Sequence, residues 1–311
     1  TAKYETFDDP EKVMDYVKAE GKYPVVIKAD GLALGKGVLI CQNEQEAADG
    51  VKEIMLDKKF GASGNHVVVE EFLTGPEVSV LSFCDGKTVK PMVSSMDHKR
   101  ALDHDEGLNT GGMGTVAPNP YYTPAVAERC MQEIFLPTVA AMQAEGCPFK
   151  GCLYFGLMLT PDGPKVIEYN CRFGDPETQV VLPLLESDLL TVMEATTNGT
   201  LDKTDVKFSD GAAACVILAS GGYPLAYEKG KEITGLTAGQ LDAADVTVYH
   251  AGTAIKDGSL VTNGGRVLGV TATANTLPEA LKKAYAATES IHFDKLHKRS
   301  DIGARALAAM Q

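Results

Sequence analysis

The chain has 311 residues, of which 44% are hydrophobic and 23% charged, a mix typical of a globular protein with room for one large domain or two ordinary ones. This composition excludes a disordered tail, a coiled coil and a fibrous repeat. Lysine and arginine number 29 against 42 aspartates and glutamates, and the net charge of −13 argues against a general binder of nucleic acid or of anionic membranes. It leaves room for a local basic pocket that takes a phosphate-bearing small molecule.

Seven cysteines are scattered along the chain without a CxxC pair or zinc-finger spacing, which predicts a reducing, cytoplasmic location and no disulfide scaffold. No apolar run approaches the length of a membrane span, and the first residues do not resemble a signal peptide. Those residues contain neither an initiator methionine nor a predicted strand, so we expect the chain to be part of a longer protein.

The first third of the chain alternates between predicted helices and strands. Asp8 or Asp9 can cap a helix over residues 8–20, and Pro10 suits its first turn. Short β-branched or alternating runs bounded by turn residues predict the strands that follow. The further predicted elements are the strands Pro24–Lys28, Val38–Cys41, His66–Glu70 and Glu77–Phe83, the helix Glu44–Leu56, and a glycine-rich turn over Gly31–Gly37.

The middle of the chain begins with a segment rich in charge and glycine, Asp97–Gly114, which is predicted to be a loop. A long helix is predicted to begin at Thr123 and to end at Gly146, and Pro137 should kink or split it. Two strands joined by a Pro-Asp-Gly turn come next, over Cys152–Leu159 and Lys165–Asn170.

The last third changes character near residue 210. Before this point, Ser187 is predicted to cap a helix that Gly199 ends. After it, short strands and Gly-Gly turns surround one predicted helix, Pro278–Ser290. We therefore expect the C-terminal part to be a separate small α+β unit.

Lys28 and Lys36 flank the glycine-rich turn, and this segment is the first candidate site. It is not a P-loop, because three residues rather than four separate Gly31 from Gly35, a glycine follows the lysine, and a strand follows the turn. A glycine loop between two antiparallel strands can still fold over phosphates with its backbone N–H groups, while the lysines neutralise charge. The alternative is a wide hairpin with solvated lysines.

The second candidate site is the acidic strand end Glu70–Glu77, which turns directly into the next predicted strand. A backbone segment of this kind can hydrogen-bond the edge of an adenine base while an acid holds the ribose hydroxyls. The alternative is an ordinary acidic strand end, since charged residues are mostly exposed in any globular protein.

The third candidate site lies on the last strand of the middle region. Side chains alternate along a strand, so Glu168, Asn170 and Arg172 point to one face. A carboxylate and an amide oxygen two residues apart suit Mg²⁺, which takes waters and phosphate oxygens for its other ligands. Arg172 beside them can neutralise a phosphoryl group during transfer. The alternative is a solvated strand face with a Glu–Arg pair.

Taken in this order, the three segments resemble the ATP-grasp superfamily, and within it the phosphoribosylamine–glycine ligase family. The similarity runs from Thr1 to the C-terminus, where Tyr249–Thr253 and Gly264–Gly269 also fit. The stretches that carry the resemblance most strongly are Lys28–Gly37, Asp97–Arg100, Asn109–Gly114 and Asn170–Gln179.

The resemblance implies a role for each matching residue. The residues that fall where the family binds ATP are Lys28, Lys36, Glu70, Glu71, Phe72, Leu73, Glu77, Arg100 and Asn109. Two residues match its magnesium (or manganese) ligands, Glu168 and Asn170. The candidate catalytic residues lie in motifs that line the glycine and acyl-phosphate region and are Asp97, Arg172 and Asp175.

The chain departs from the family pattern at two places. Met96 stands where the family usually has glutamine, which affects the expected substrate contacts near Asp97. Sister ATP-grasp enzymes place an acidic metal ligand on the preceding strand, yet Leu153–Leu159 contains no acid. We therefore expect any second magnesium ion to depend on Glu168 and the phosphates.

The fold implied by the resemblance is α+β. Residues 1–209 would form an ATP-grasp domain, in which a lid subdomain (about 7–70) and a larger subdomain (about 71–209) clamp ATP, and residues 210–311 a small C-terminal α+β domain. The implied reaction joins glycine to 5-phosphoribosylamine through glycyl phosphate and gives glycinamide ribonucleotide, ADP and phosphate. Its partners are these small molecules and Mg·ATP, with neither nucleic acid nor membrane.

Members of this family begin roughly a hundred residues earlier, with a glycine-rich α/β domain that helps to hold phosphoribosylamine. We therefore expect that N-terminal domain to be the missing partner, and the chain alone to bind Mg·ATP, to form little product and to self-associate. Two alternatives stay open. One is a nucleotide-binding module that is inactive without that domain, and the other is a sister ATP-grasp ligase that joins a different carboxylate to a different amine.

Overall fold

Residues 1–33, 37–236 and 245–311 are described by the structure, a computed structural model. They divide into two units, the first made of Thr1–Gly75 and Met158–Ile167 and the second of Pro76–Leu157 and Glu168–Gln311. The chain thus returns to the first unit once, through the tip of a hairpin whose base belongs to the second. No helix in these ranges is long and apolar enough to cross a membrane.

The first unit is a four-stranded antiparallel sheet with helices on one face. The sheet has the order β1-β4-β2-β3. Its covered face contributes Ile27 and Val69 to a core completed by Val13, Val17 and Ile54 of the helical segments. The elements are β1 (Tyr4–Phe7), α1 (Pro10–Glu20), β2 (Val25–Ala29), β3 (Val38–Cys41), α2 (Glu44–Val51) and β4 (Val67–Glu71).

Local signals explain most of these boundaries. The Asp9 carboxylate accepts a hydrogen bond from the Glu11 N–H at 2.9 Å, and the helix ends where Gly21 adopts the left-handed conformation at φ 58°. The first strand was not predicted. None of its four residues is buried, and it owes its conformation to pairing with β4, in the register Tyr4 to Glu70.

The remaining elements belong to the second unit, apart from the end of β11 and the start of β12, and their strands form two larger sheets and two small hairpins. They are β5 (Glu77–Asp85), β6 (Val89–Pro91), β7 (Met96–Asp97), β8 (Arg100–Leu102), β9 (Glu106–Asn109), β10 (Gly114–Ala117), α3 (Pro124–Cys130), α4 (Leu136–Ala144), β11 (Lys150–Thr160), β12 (Gly163–Asn170), α5 (Thr178–Val181), α6 (Leu189–Asn198), β13 (Ala212–Ser220), β14 (Val246–His250), β15 (Thr253–Lys256), β16 (Ser259–Thr262), β17 (Arg266–Ala274), α7 (Leu277–Thr288), β18 (Leu296–His297) and α8 (Ala304–Ala309).

The larger sheet is organised around β13, all nine residues of which are buried. Its order is β14-β17-β13-β10-β7, and β18 also pairs with β13. The other sheet has the order β12-β11-β5-β6. Because β13 pairs with β10 on one side and β17 on the other, one sheet crosses the predicted boundary at residues 209 and 210. That boundary stays a prediction.

The region between β7 and β11 contains a split helix and an additional hairpin. The long helix is split, as Pro137 predicted, into α3 and α4 with a π-helical turn between them. The predicted loop Asp97–Gly114 contains the hairpin β8–β9, so that prediction is wrong for part of its length. The hairpin was not predicted because all four residues of β9 are exposed and show no alternation of apolar and polar side chains.

The N-cap of α6 is also one residue away from its predicted position. Asp188 accepts from the Thr191 N–H at 2.8 Å and is the cap. The Ser187 hydroxyl is engaged elsewhere, donating to the Asp205 carbonyl and accepting from the Lys207 N–H. The prediction of Ser187 is therefore wrong, whereas the predicted end at Gly199, with φ 73°, is confirmed.

His98 connects the end of β7 to the C-terminal region. Its side chain is 1% exposed, its Nδ1 lies 3.1 Å from the Gly114 carbonyl oxygen, and its Nε2 accepts from the Gly303 N–H at 3.0 Å. Both ring nitrogens thus have partners suited to a neutral imidazole with the proton on Nδ1. Burial, with the charges of Arg305 and Arg299, lowers the pKa of His98 to about 4.

This pKa predicts a specific loss of stability in mild acid. Between pH 6.5 and about 4, His98 is protonated in the unfolded chain but stays neutral in the folded protein. The stabilisation that the neutral His98 gives to the folded protein is therefore complete above pH 6.5. It is lost as the pH falls, and the free energy of unfolding decreases by up to about 3 kcal/mol. Urea unfolding at about pH 7.5, 5.5 and 4.5 should show a steeper decline for the parent than for His98→Gln. Parallel declines would contradict the assignment of a neutral His98.

Candidate functional site

The uncovered face of the first sheet carries an ion pair on an apolar floor. Strand pairing places Val26 and Lys28 of β2 beside Glu70 of β4 and Val38 and Ile40 of β3 on the same face. The Lys28 Nζ lies 2.6 Å from the Glu70 Oε2, and both side chains are largely buried. Val38 and Ile40 are 46% and 44% exposed. A flat aromatic ring of a ligand can therefore make apolar contact with this face, next to a cation and a carboxylate.

Only part of the predicted adenosine segment faces this floor. Glu71 points the other way from Glu70, and its carboxylate accepts from the Lys165 Nζ at 2.8 Å and the Lys3 N–H at 2.9 Å. These hydrogen bonds lower the pKa of Glu71. Phe72 is exposed and Leu73 half-buried in the turn after β4. Lys36 lies outside the residues that the structure describes.

In the second unit, Glu168 and Asn170 lie next to each other near the end of β12. The Asn170 amide nitrogen lies 3.4 Å from the Glu168 Oε1. Strand β11 contributes Gly156 at this point, and a Cβ there would lie 3.0 Å from the Glu168 Cγ. The glycine therefore leaves room for the carboxylate, and this part of β11 supplies no side chain to a metal.

The oxygen donors of Glu168 and Asn170 fit a hard cation that takes its remaining ligands from water and phosphate. Nowhere in the described ranges do three or more His, Cys, Asp or Glu side chains form a group that could hold a metal ion. One carboxylate and one amide oxygen match Mg²⁺, which binds through one or two protein oxygens and completes its shell with water and phosphate. For this the Asn170 amide must present its oxygen rather than its nitrogen.

A cluster of charged groups lies close to Glu168. The Lys99 Nζ donates to the Glu77 Oε2 at 2.8 Å. Burial lowers the pKa of Lys99, but the carboxylates of Glu77, Asp97 and Glu168 outweigh it, so that the pKa is raised. Lys99 is therefore a firmly charged cation among three carboxylates. Lys99 lies within the motif Asp97–Arg100, but nothing in the sequence indicates its role.

Asp97 lies at the other side of this cluster. Its Oδ1 accepts from the His98 N–H at 2.7 Å. Burial and the neighbouring Glu177 carboxylate raise the pKa of Asp97 to about 8. Glu177 itself is 4% exposed and accepts at 2.8 Å from the hydroxyl of Tyr154. Glu177 is a second residue whose part in the site was missed, although it belongs to the quoted motif Asn170–Gln179.

The hairpin β8–β9 brings Arg100 and Asn109 together. They are direct cross-strand partners, both are exposed, and the Arg100 Nη1 donates to the Gly107 carbonyl at 2.8 Å. Two residues that the sequence analysis assigned to phosphate are thus neighbours. An exposed guanidinium beside an amide is a suitable donor set for phosphate oxygens.

This hairpin rests on a C-terminal segment, residues 297–301. Arg299 is only 1% exposed, and its Nη1 donates to the Arg100 carbonyl at 3.1 Å and to the Asp105 carboxylate at 3.0 Å. The rest of its guanidinium forms two hydrogen bonds to Asp301, at 2.7 and 2.8 Å. A buried arginine thus fixes the backbone at Arg100.

The remaining candidates lie after β12. The Asp175 Oδ2 lies 2.9 Å from the Nη2 of Arg266, a residue of the Gly264–Gly269 motif. Arg172 is exposed and donates to the neighbouring Phe173 carbonyl at 2.9 Å. Arg266 is a third partner that was missed, because nothing in the sequence connects two motifs 91 positions apart.

Comparisons with known proteins identify the family of the chain. Two family models match the chain: the phosphoribosylglycinamide synthetase ATP-grasp (A) domain over residues 1–178 and the C domain over residues 213–305. Phosphoribosylamine–glycine ligase of Vibrio vulnificus is 48% identical over 312 residues, 100% of this chain and 72% of that protein.

Two further proteins are similar. Trifunctional purine biosynthetic protein adenosine-3 of Gallus gallus is 48% identical over 309 residues, 99% of this chain and 31% of that protein. The crystal structure of phosphoribosylamine–glycine ligase from Thermotoga maritima has a TM-score of 0.88 at 38% identity, over 97% of this chain and 74% of that one.

The fold is that of an ATP-grasp enzyme, a ligase that binds ATP. Within that class, the chain belongs to the phosphoribosylglycinamide synthetase family. It is accordingly an ATP-dependent ligase of purine biosynthesis. The predicted fold class and family are confirmed, whereas the predicted roles of individual residues stay predictions.

The raised pKa of Asp97 gives a test of the charged cluster. Because the folded protein favours the neutral form, Asp97 opposes folding increasingly as the pH rises from about 4 to about 8. The free energy of unfolding of the parent should decline over this range relative to that of Asp97→Asn. Chemical unfolding across this range measures the difference.

A matched control is Asp202→Asn, which changes an exposed carboxylate in the short helix Leu201–Lys203. It should follow the parent at every pH. If Asp97→Asn also follows the parent, the carboxyl of Asp97 is ionised like any surface acid and the description of the cluster is incorrect.

Proposed function

We propose that the chain joins glycine to 5-phosphoribosylamine in two steps. A carboxylate oxygen of glycine attacks the γ-phosphorus of ATP, the bond to the ADP oxygen breaks, and glycyl phosphate forms. The amine nitrogen then attacks the carbonyl carbon, the bond to phosphate breaks, and the amine loses one proton. The observation that supports this most is 48% identity over the whole chain to a phosphoribosylamine–glycine ligase.

The nucleotide is assigned to two groups of residues. Lys28 and Glu70 on the first sheet take the adenosine side and the adjoining phosphate, since their ion pair adjoins an exposed apolar floor. Arg100 and Asn109 take phosphate oxygens, because both present exposed donors on one hairpin. Catalysis by these groups is positioning and neutralisation of charge rather than covalent chemistry.

Glu168 and Asn170 are the proposed magnesium ligands. The bound ion supplies charge neutralisation at the phosphate oxygens. Lys99, held by Glu77 and close to Glu168, adds a fixed positive charge beside them. The family relation supports ATP binding, and the choice of magnesium is supported by the hard oxygen donors.

Glycine and the acyl phosphate are assigned to Arg172, Asp175 and Asp97. The Arg172 guanidinium is exposed and can pair with a carboxylate or a phosphate. Asp175, an exposed carboxylate beside Arg266, is the proposed acceptor of the proton that the amine loses. Asp97, neutral near pH 7, can donate a hydrogen bond to an anionic oxygen of the intermediate.

The experiment that tests the first step traps the intermediate. The chain is incubated with Mg·ATP, glycine and hydroxylamine, and glycine hydroxamate and ADP are quantified. Equal amounts of both are expected with glycine, and little of either with alanine or aspartate. Adding 5-phosphoribosylamine together with the N-terminal domain of a full-length relative should divert the intermediate to glycinamide ribonucleotide. Hydroxamate formed better from another carboxylate would favour a sister ligase and contradict the proposal.

The metal assignment predicts the behaviour of Glu168→Gln. Glu168 is the charged member of the proposed pair of ligands, and Asn170 is neutral. The loss of this charge should weaken Mg·ATP binding about tenfold or more, equivalent to about 1.4 kcal/mol. The melting temperature without ligand should stay close to that of the parent, because Glu168 is exposed. Calorimetric titration measures both variants, and Glu186→Gln, an exposed glutamate after α5, serves as the control. Equal affinity in Glu168→Gln and parent would exclude the assignment.

The first sheet predicts the behaviour of Lys28→Met. The substitution keeps the apolar stem but removes the cation beside Glu70, so ATP affinity should fall about tenfold. The dependence on magnesium concentration should not change, since the proposed ligands lie elsewhere. Lys12→Met on α1 is the matched control and should bind like the parent. Unchanged affinity in Lys28→Met would remove this face from the ATP site.

A further inference from the structure

One guanidinium in the C domain joins two of the sequence motifs. The Arg266 Nη1 donates to the Gly111 carbonyl at 2.7 Å and to the Asp175 carbonyl at 2.8 Å. Its Nη2 donates to the Asp175 Oδ2 at 2.9 Å. The Arg266 side chain is 19% exposed and that of Asp175 52%. The backbone of both loops and the Asp175 carboxylate are thus tied to one rigid group.

The peptide at Gly111 is held from its other side as well. Its N–H donates to the hydroxyl of Tyr223 at 3.0 Å, a second residue of the matched C domain. A Cβ on Gly112 would lie 2.5 Å from the Pro176 Cδ and 2.6 Å from the Asp97 Oδ1. The glycine loop is therefore packed closely against the two segments that contain the proposed catalytic residues Asp97 and Asp175.

We propose that Arg266 is a positioning residue of the ligase, which sets the Asp175 carboxylate and the loop Asn109–Gly114 in the geometry that glycine and its acyl phosphate require. This rests on the proposed function, because Asp175 acquires its role there. Arg266 acts through Asp175 and the Gly111 peptide and touches no reacting atom itself.

The chemistry of arginine accounts for its presence here. The two terminal nitrogens of the Arg266 guanidinium donate to four acceptors, of which three are neutral backbone carbonyls. A lysine ammonium retains the charge, but it is a single point and cannot hold this geometry at both loops. A simple surface ion pair would be worth little, whereas a guanidinium that closes two loops restrains their backbone.

The test measures the first step in Arg266→Met and Arg266→Lys by hydroxamate formation. The KM for glycine should rise about tenfold or more in Arg266→Met, while the KM for Mg·ATP changes less than about twofold. Arg266→Lys should recover little, and added methylguanidinium should partly restore Arg266→Ala. Arg129→Met on the exposed face of α3 is the control and should behave as the parent.

Hydrogen exchange gives a readout that does not depend on activity. In Arg266→Met, residues 109–114 and 170–179 should exchange faster than in the parent, while β2 and β4 of the first unit should not change. Asp175→Asn should accelerate only the second segment, because the backbone carbonyls keep their donor. This difference separates the loss of one carboxylate from the loss of the group that joins both loops.

The outcomes distinguish the two proposals. If the parent forms no hydroxamate, the proposed function fails, and the exchange experiment alone decides whether Arg266 positions both loops. If the parent is active and Arg266→Met raises the two KM values equally, or leaves the KM for glycine unchanged, the positioning role is overturned. Unchanged exchange in either loop overturns it as well.

Discussion

The burial of β13 is the constraint on which the rest of the second unit depends. Gly114, where the glycine loop ends, pairs with Val216 on one side of this strand, and Arg266 pairs with Ala219 on the other. Two segments distant in sequence meet because both are registered against the same nine buried residues. A slip of one residue on either side would turn the side chains of that neighbour to the opposite face. The geometry of the site is therefore a consequence of strand register.

The features that the sequence revealed are those with a local cause. The helix cap at Asp9, the helix end at Gly199 and the shared face of Glu168 and Asn170 each follow from a few neighbouring residues. The strand β1 and the contact between Arg266 and Asp175 depend instead on partners 60 or more positions away. Nothing in the local pattern indicates such pairs, although a known family relation draws attention to the motifs that contain them.

An acidic chain that binds a polyanion has to keep its cations available without leaving them unpaired. Lys28, Lys99 and Arg266 are each held by a carboxylate within 3 Å. Arg100 and Arg172 instead donate to backbone carbonyls and keep exposed guanidinium groups. The paired cations are fixed before any ligand arrives, which reduces the reorganisation that binding requires. The exposed guanidinium groups are those with the most freedom to turn toward a phosphate.

The support of Arg100 by Arg299 has a consequence for the making of the protein. Ribosomes release the hairpin β8–β9 long before residues 297–301, so the hairpin leaves the exit tunnel without the segment that fixes its backbone. The first sheet, whose strands all lie within the first 71 residues, has no such dependence. Maturation of the first sheet and of this hairpin is thus separated in time, and the hairpin that carries Arg100 is among the last parts to take its place.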